Sequence, residues 1–141
     1  MELKKAIIFV CVFFVAAIAI TAAAYSLFVV VEVHTFPMNI VVEDVVGVNV
    51  DNDMFYFGSM PPTNASLANR NAIYVNNNDF EVEVSAFFSG EMKEWTYVEN
   101  NNLRLYPGES GKLVYYVQLN DGVEYGNYSG TAKMYVKRVL W

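Results

Sequence analysis

The sequence predicts an all-β domain, an antiparallel two-sheet sandwich of about seven to nine short strands, behind one N-terminal membrane-spanning helix. Three observations predict it: a charge-free apolar stretch from Ala6 to Val31, apolar residues that recur at period two beyond it, and turn residues that interrupt the remainder at short intervals. The chain has 141 residues, one domain's worth with room for one appendage, and its 55% hydrophobic against 17% charged residues exclude intrinsic disorder.

Residues 1–5 form a short N-terminus carrying Lys4 and Lys5, and residues 6–31 form the span. As a helix, those 26 residues measure roughly 39 Å against a hydrocarbon core of about 30 Å. A cleaved secretory signal is the competing reading, but its apolar region usually stops after about 7–15 residues, whereas here it continues through Ala22, Leu27 and Val31. The first Lys or Arg after the span in sequence is Arg70, so the positive-inside rule places the N-terminus in the cytoplasm and the body outside the cell membrane. An uncleaved signal-anchor follows, with the lipid bilayer as a partner through residues 6–31. A further reading starts from Lys5-Ala6-Ile7-Ile8, which resembles the basic-small-apolar cleavage pattern of archaeal prepilins, although Cys11 stands where bacterial pilins carry Glu.

Residues 32–37 read as a short juxtamembrane joint, ended by Pro37 and lacking the Gly and Ser of flexible tethers. Residues 38–141 read as the sandwich. The clearest strand is Phe80–Ala86, in which Phe80, Val82, Val84 and Ala86 share one face and Glu81, Glu83 and Ser85 the other. In Lys112–Leu119 the inward set is Leu113, Tyr115, Val117 and Leu119. Further β-rich runs are Asn39–Val50, Met54–Phe57, Ala72–Val75, Trp95–Val98, Leu103–Tyr106 and Tyr128–Val139. Turns are expected at Gly58 with Pro61-Pro62, Asn76–Asp79, Ser89-Gly90, Asn100–Asn102, Pro107–Gly111 and Asp121-Gly122.

The body from Glu32 onward carries 7 Lys+Arg against 14 Asp+Glu, a balance that disfavours nucleic acid as a partner. With one Cys, Cys11, and one His, His34, there is no intrachain disulfide, no Cys-based zinc spacing and no His–His metal pair. No cofactor and no catalytic residue are expected, so the chain is read as non-enzymatic. Glu43-Asp44, Asp51-Asn52-Asp53 and Asn76–Asp79 supply the oxygens calcium prefers, but no stretch has the spacing of a twelve-residue calcium loop, and solvated turns explain them better. Glu81 and Glu83, about 7 Å apart on one strand face, read as surface charge rather than a glycosidase pair. His34 reads as an interfacial polar residue. Tyr74, Tyr116 and Tyr135 are expected on outer faces, where aromatic side chains can meet a sugar or another protein. Asn64-Ala65-Ser66 and Asn127-Tyr128-Ser129 match the N-glycosylation pattern, making Asn64 and Asn127 candidate acceptors in an extracytoplasmic body.

The order of Phe57-Gly58-Ser59-Met60-Pro61-Pro62, Arg70–Asn77, Trp95–Val98, Leu105-Tyr106-Pro107-Gly108-Glu109-Ser110 and Tyr125–Gly130 resembles the immunoglobulin-like modules of prokaryotic, especially archaeal, cell-surface proteins. It is similar to the family called NEW3 and to the ASPM/SPD-2/Hydin group over about residues 40–139. Thr63 stands where that family often has Gly. The resemblance implies an immunoglobulin-like sandwich, with Tyr128 as a candidate tyrosine corner whose hydroxyl bonds upstream backbone. It implies no catalytic residue. The function expected is a single-pass, membrane-anchored surface domain that binds a protein partner in the membrane or envelope. The alternative is a pilin-like or archaeal-flagellum-stator-like subunit of a surface filament system, which is similar in plan.

Overall fold

The computed structural model describes residues 2–47 and 55–140. One helix, α1 (Glu2–Phe28), precedes eight strands: β1 (Val30–Val42), β2 (Phe55–Met60), β3 (Leu67–Val75), β4 (Val82–Gly90), β5 (Thr96–Glu99), β6 (Leu103–Leu105), β7 (Ser110–Gln118) and β8 (Gly126–Arg138). A 3₁₀ turn at Glu91–Trp95 links β4 to β5. The strands form a five-stranded sheet in the order β2-β1-β8-β4-β6 and a three-stranded sheet in the order β3-β7-β5. Among the described residues this is a mostly β domain behind one apolar helix.

The core lies between the sheets and follows the alternation. Val82, Val84 and Ala86 of β4 are buried, as are Leu113, Tyr115 and Val117 of β7 and Leu119 just beyond it. Phe80 is half-buried against them. From β1 come Met38, Ile40 and Val42, and from β8 Ala132, Met134 and Val136, all buried. Met92, fully buried on the 3₁₀ turn, plugs the end of the core far from the helix; no periodicity announces it.

Three features depart from the sequence reading. The helix stops at Phe28 rather than Val31, and residues 32–37 are not a joint: they belong to β1, which pairs with β8 from Val30↔Lys137 to Val42↔Gly126. Proline normally ends such a run, but Pro37 pairs with Thr131 of β8 at a level where the described β2 ladder has not yet begun, since it starts at Met38↔Phe55. A missing N–H directed away from β8 costs no ladder bond there. Second, the sheets are not antiparallel throughout, because β2 pairs parallel with β1. A parallel pair needs a crossover of about a dozen residues, and residues 43–54 are long enough to supply one. Third, Gly58 is inside β2 instead of a turn. Its φ of 82° and the register shift between Asn39 and Val41 on β1 mark a bulge that a side-chain-bearing residue adopts only under strain. The expected strand Asn39–Val50 ends at Val42: residues 43–46 leave the sheet and Gly47 makes only an isolated bridge to Ser59, while residues 48–50, and Met54, lie outside the described residues.

Residues of four sequence motifs, Arg70–Asn77, Trp95–Val98, Leu105–Ser110 and Tyr125–Gly130, meet in two structural clusters. At the end near the helix, Asn76 is fully buried; its Nδ2 donates to the carbonyls of Phe80 (2.9 Å) and Leu105 (3.0 Å), and its Oδ1 accepts from the Asn78 N–H (3.1 Å). The Asn76 carbonyl also accepts from the N–H of Gly108, whose φ is 81°, so one side chain and one peptide tie the β3–β4 loop to the Pro107–Ser110 turn. At the far end, Gly90 and Gly130 pair across β4 and β8, and a Cβ on Gly90 would lie 2.9 Å from the Gly130 Cα. Beside them the ring of Trp95 meets Tyr128 edge-on at 5.0 Å, and the Tyr128 hydroxyl donates to the Glu124 carbonyl at 2.9 Å, holding the loop before β8 against the strand.

Tyr115 is the largest fully buried side chain, packed against Phe55 and Phe88, and its hydroxyl has no hydrogen-bond partner among the described residues. Burial pushes its pKa up to about 12. Tyr115→Phe should therefore stabilise the domain by about 1 kcal/mol at neutral pH, read by chemical denaturation, because it removes an unsatisfied buried group without opening a cavity. The folded state holds the proton more tightly than the unfolded chain, so the wild-type contribution is intact below pH 10 and lost as pH rises toward 12. The phenylalanine variant should lack that part of the alkaline loss; an unchanged stability profile between pH 10 and 12 would show that Tyr115 is not buried as described.

Candidate functional site

The end of the β domain next to α1 is where the chain's most unusual features meet. The span Leu3–Phe28 is 26 residues long with a mean hydropathy of 2.9, and none of its apolar window is buried in the molecule. Phe13, Phe14, Val15 and Ile18 each leave about two thirds of their surface uncovered. Such a helix, apolar on every side, demands a non-aqueous environment or other apolar helices around it. One residue, Val29, separates α1 from β1, and both of its backbone groups are used: its N–H donates to Tyr25 O (3.0 Å) and its carbonyl accepts from the Arg138 N–H (2.7 Å). The helix therefore hands directly into the ladder of the larger sheet.

Just above this junction the inward-facing row of β1 turns polar. Below Phe36, which stacks on Phe55 at 4.7 Å, come His34 and Glu32. The Glu32 carboxylate is shared: Oε2 lies 2.8 Å from His34 Nε2, and Oε1 accepts from the Tyr74 hydroxyl at 3.2 Å. Tyr74, expected on an outer face, is 8% exposed, because the β3 alternation sends Ile73 and Val75 outward instead. Burial first, and the Glu32 charge second, raise the Tyr74 pKa. Together with Asn71 and Asn77 these residues line a recess at the seam between the sheets. His34 thus belongs to a bonded trio with Glu32 and Tyr74.

The other candidates are dispersed. Glu81 and Glu83 flank Arg104, each at 3.8 Å from its guanidinium. Asp44 accepts from the Tyr125 hydroxyl, a bond that raises that tyrosine's pKa. Asp51, Asn52 and Asp53 lie outside the described residues, and among the described residues no group of three or more His, Cys, Asp and Glu side chains converges as a metal site would require. The two sequons differ. The Asn64 amide nitrogen, the atom a glycan would occupy, donates to Asp121 Oδ2 at 2.6 Å, whereas Asn127 is exposed at the start of β8. Tyr97 and Tyr116 stack at 5.2 Å on the outer face of the three-stranded sheet, with the Tyr116 hydroxyl on Glu99 at 3.1 Å. Tyr135 is half-buried on the outer face of the larger sheet against Phe87.

Sequence reasoning did not foresee the cations at the junction. Lys137 is the ladder partner of Val30, and Arg138 follows it, so β8 brings both beside the end of α1 although more than a hundred residues separate them in the chain. Comparison with known protein families, with characterised proteins and with solved structures finds no match.

Proposed function

We propose that the chain is a non-enzymatic, single-pass membrane protein: α1 crosses the bilayer with its N-terminus in the cytoplasm, and an immunoglobulin-like β domain stands outside the cell and binds a protein partner in the membrane or envelope. The observation that carries this reading is the junction. A wholly exposed apolar helix passes into the β1–β8 ladder through a single residue, so the domain is held at the bilayer surface with little freedom to reach away from it. Lateral contact with neighbouring membrane or envelope proteins suits that geometry better than capture of distant ligands. The Tyr97–Tyr116 pair offers one exposed aromatic surface for such a contact.

The filament reading draws on the same exposed helix, whose apolar surface copies of itself would cover instead of lipid. Crosslinking in native membranes followed by N-terminal sequencing separates the two. The anchored-domain reading expects a chain that begins at Met1 and a discrete crosslinked product with a different protein. A chain that begins at Ile7, with a ladder of self-crosslinked multiples, would replace it with the filament reading.

A further inference from the structure

We propose that the recess between the last turn of α1 and the lower rim of the five-stranded sheet binds the phosphates of the lipid leaflet that α1 leaves, and so fixes the tilt of the β domain on the membrane. The inference rests on the membrane-anchor reading above.

The level of the recess follows from chain continuity. From Ala6 to Phe28 the helix rises roughly 35 Å at about 1.5 Å per residue, slightly more than the hydrocarbon core of about 30 Å, so Phe28 ends in the headgroup layer. Tyr25, one turn earlier and half exposed, falls at the depth where tyrosine prefers to lie. Val30 is the next residue but one after Phe28, and its ladder partner Lys137 lies about 5 Å across. An ammonium on a four-carbon stem placed there lies within reach of the phosphate plane.

The composition of the recess matches that level. Tyr25, Leu140, Lys137, Arg138 and Arg104 line it with Glu83; counting Glu81, which also flanks Arg104, three cations face two carboxylates in a body that is otherwise strongly acidic. The cations are not tightly neutralised by the protein. Arg104 has 59% of its side chain exposed and stands 3.8 Å from Glu81 and Glu83, long for a charge-assisted bond. The Lys137 ammonium lies 5.9 Å from the centre of the Phe87 ring and the Arg138 guanidinium stacks on Phe80 at 3.7 Å, contacts to ring faces that leave hydrogen-bond donors for another acceptor. Next to the recess, Phe87 (54% exposed), Tyr135 and Val30 continue an apolar strip along the outer face of the sheet.

The test uses the full chain with Cys11→Ser and Leu140→Cys, carrying a fluorophore on the new thiol, in vesicles of phosphatidylcholine and phosphatidylglycerol doped with headgroup-spin-labelled lipid. Strong quenching is expected, at least halved by Lys137→Glu with Arg104→Glu and reduced to a similar level by molar salt. Lys93→Glu should leave it unchanged, since Lys93 follows Gly90 at the opposite end of the sheet. The milder pair Lys137→Gln with Arg104→Gln, checked for an intact β-type circular dichroism spectrum, reads the same effect if charge reversal disturbs folding. Equal quenching in wild type and both pairs of variants overturns the recess while leaving the anchor standing. A chain washed off the vesicles by alkaline carbonate overturns the anchor reading itself, and the recess with it.

Discussion

Replacing Phe14 and Ile18 together by lysine should remove the chain from the carbonate-resistant membrane fraction. Both side chains are 65% exposed near the middle of α1 and lie one turn apart on the same face. Each lysine at the centre of a spanning helix costs about 2.5–3.5 kcal/mol on insertion scales, so the pair opposes insertion by roughly 6 kcal/mol. The β domain should not notice, because no residue of the span's apolar window is buried in the molecule. Far-UV circular dichroism and the thermal midpoint of the β domain should match wild type within error. A double variant that still sediments with carbonate-washed membranes would mean that something other than α1 holds the chain there.

The second large effect is expected inside the domain. Asn76→Ala strips hydrogen bonds from the buried carbonyl of Leu105, the part-buried carbonyl of Phe80 and the part-buried Asn78 N–H, and loosens the loop that the Gly108 N–H closes. A buried group left unsatisfied costs about 1–3 kcal/mol, and two carbonyls and one N–H here lose their partner together, so a total near 3 kcal/mol is expected. That corresponds to a fall of roughly 10–20 °C in midpoint for a domain of this size. Differential scanning calorimetry reads it directly, and a fall under about 3 °C would show that Asn76 does not organise the loops. Asn76→Asp should also be damaging, since it keeps the acceptor for Asn78 but loses the Nδ2 donor to both carbonyls.

These residues show which parts of the molecule were legible. The strands β4 and β7 follow the alternation because each has one face on the core, so Val82, Val84, Leu113, Tyr115 and Val117 announce themselves. The helix is legible because nothing else explains so long an uncharged run. What sequence reading missed depends on pairing between distant segments. Pro37 ends a strand by local rules and is tolerated in β1 because the described β2 ladder begins one residue later. Tyr74 faces inward because of the register of β3, which the sequence alone does not fix, and a one-residue error in register exchanges the faces. Counting cations along the chain put none after the span until Arg70, yet the β1–β8 ladder sets Lys137 beside Val30. Topology is decided during insertion, before that ladder forms, so the linear count still bears on orientation while the folded arrangement bears on how the domain meets the membrane.

A labelling experiment decides whether the β domain stands outside the cell. In a full chain carrying Cys11→Ser and Lys133→Cys, the new thiol lies on the exposed face of β8. A membrane-impermeant maleimide added to intact cells should label it fully, with no gain on lysis. Labelling that appears only after the cells are opened would place the β domain in the cytoplasm and contradict the account.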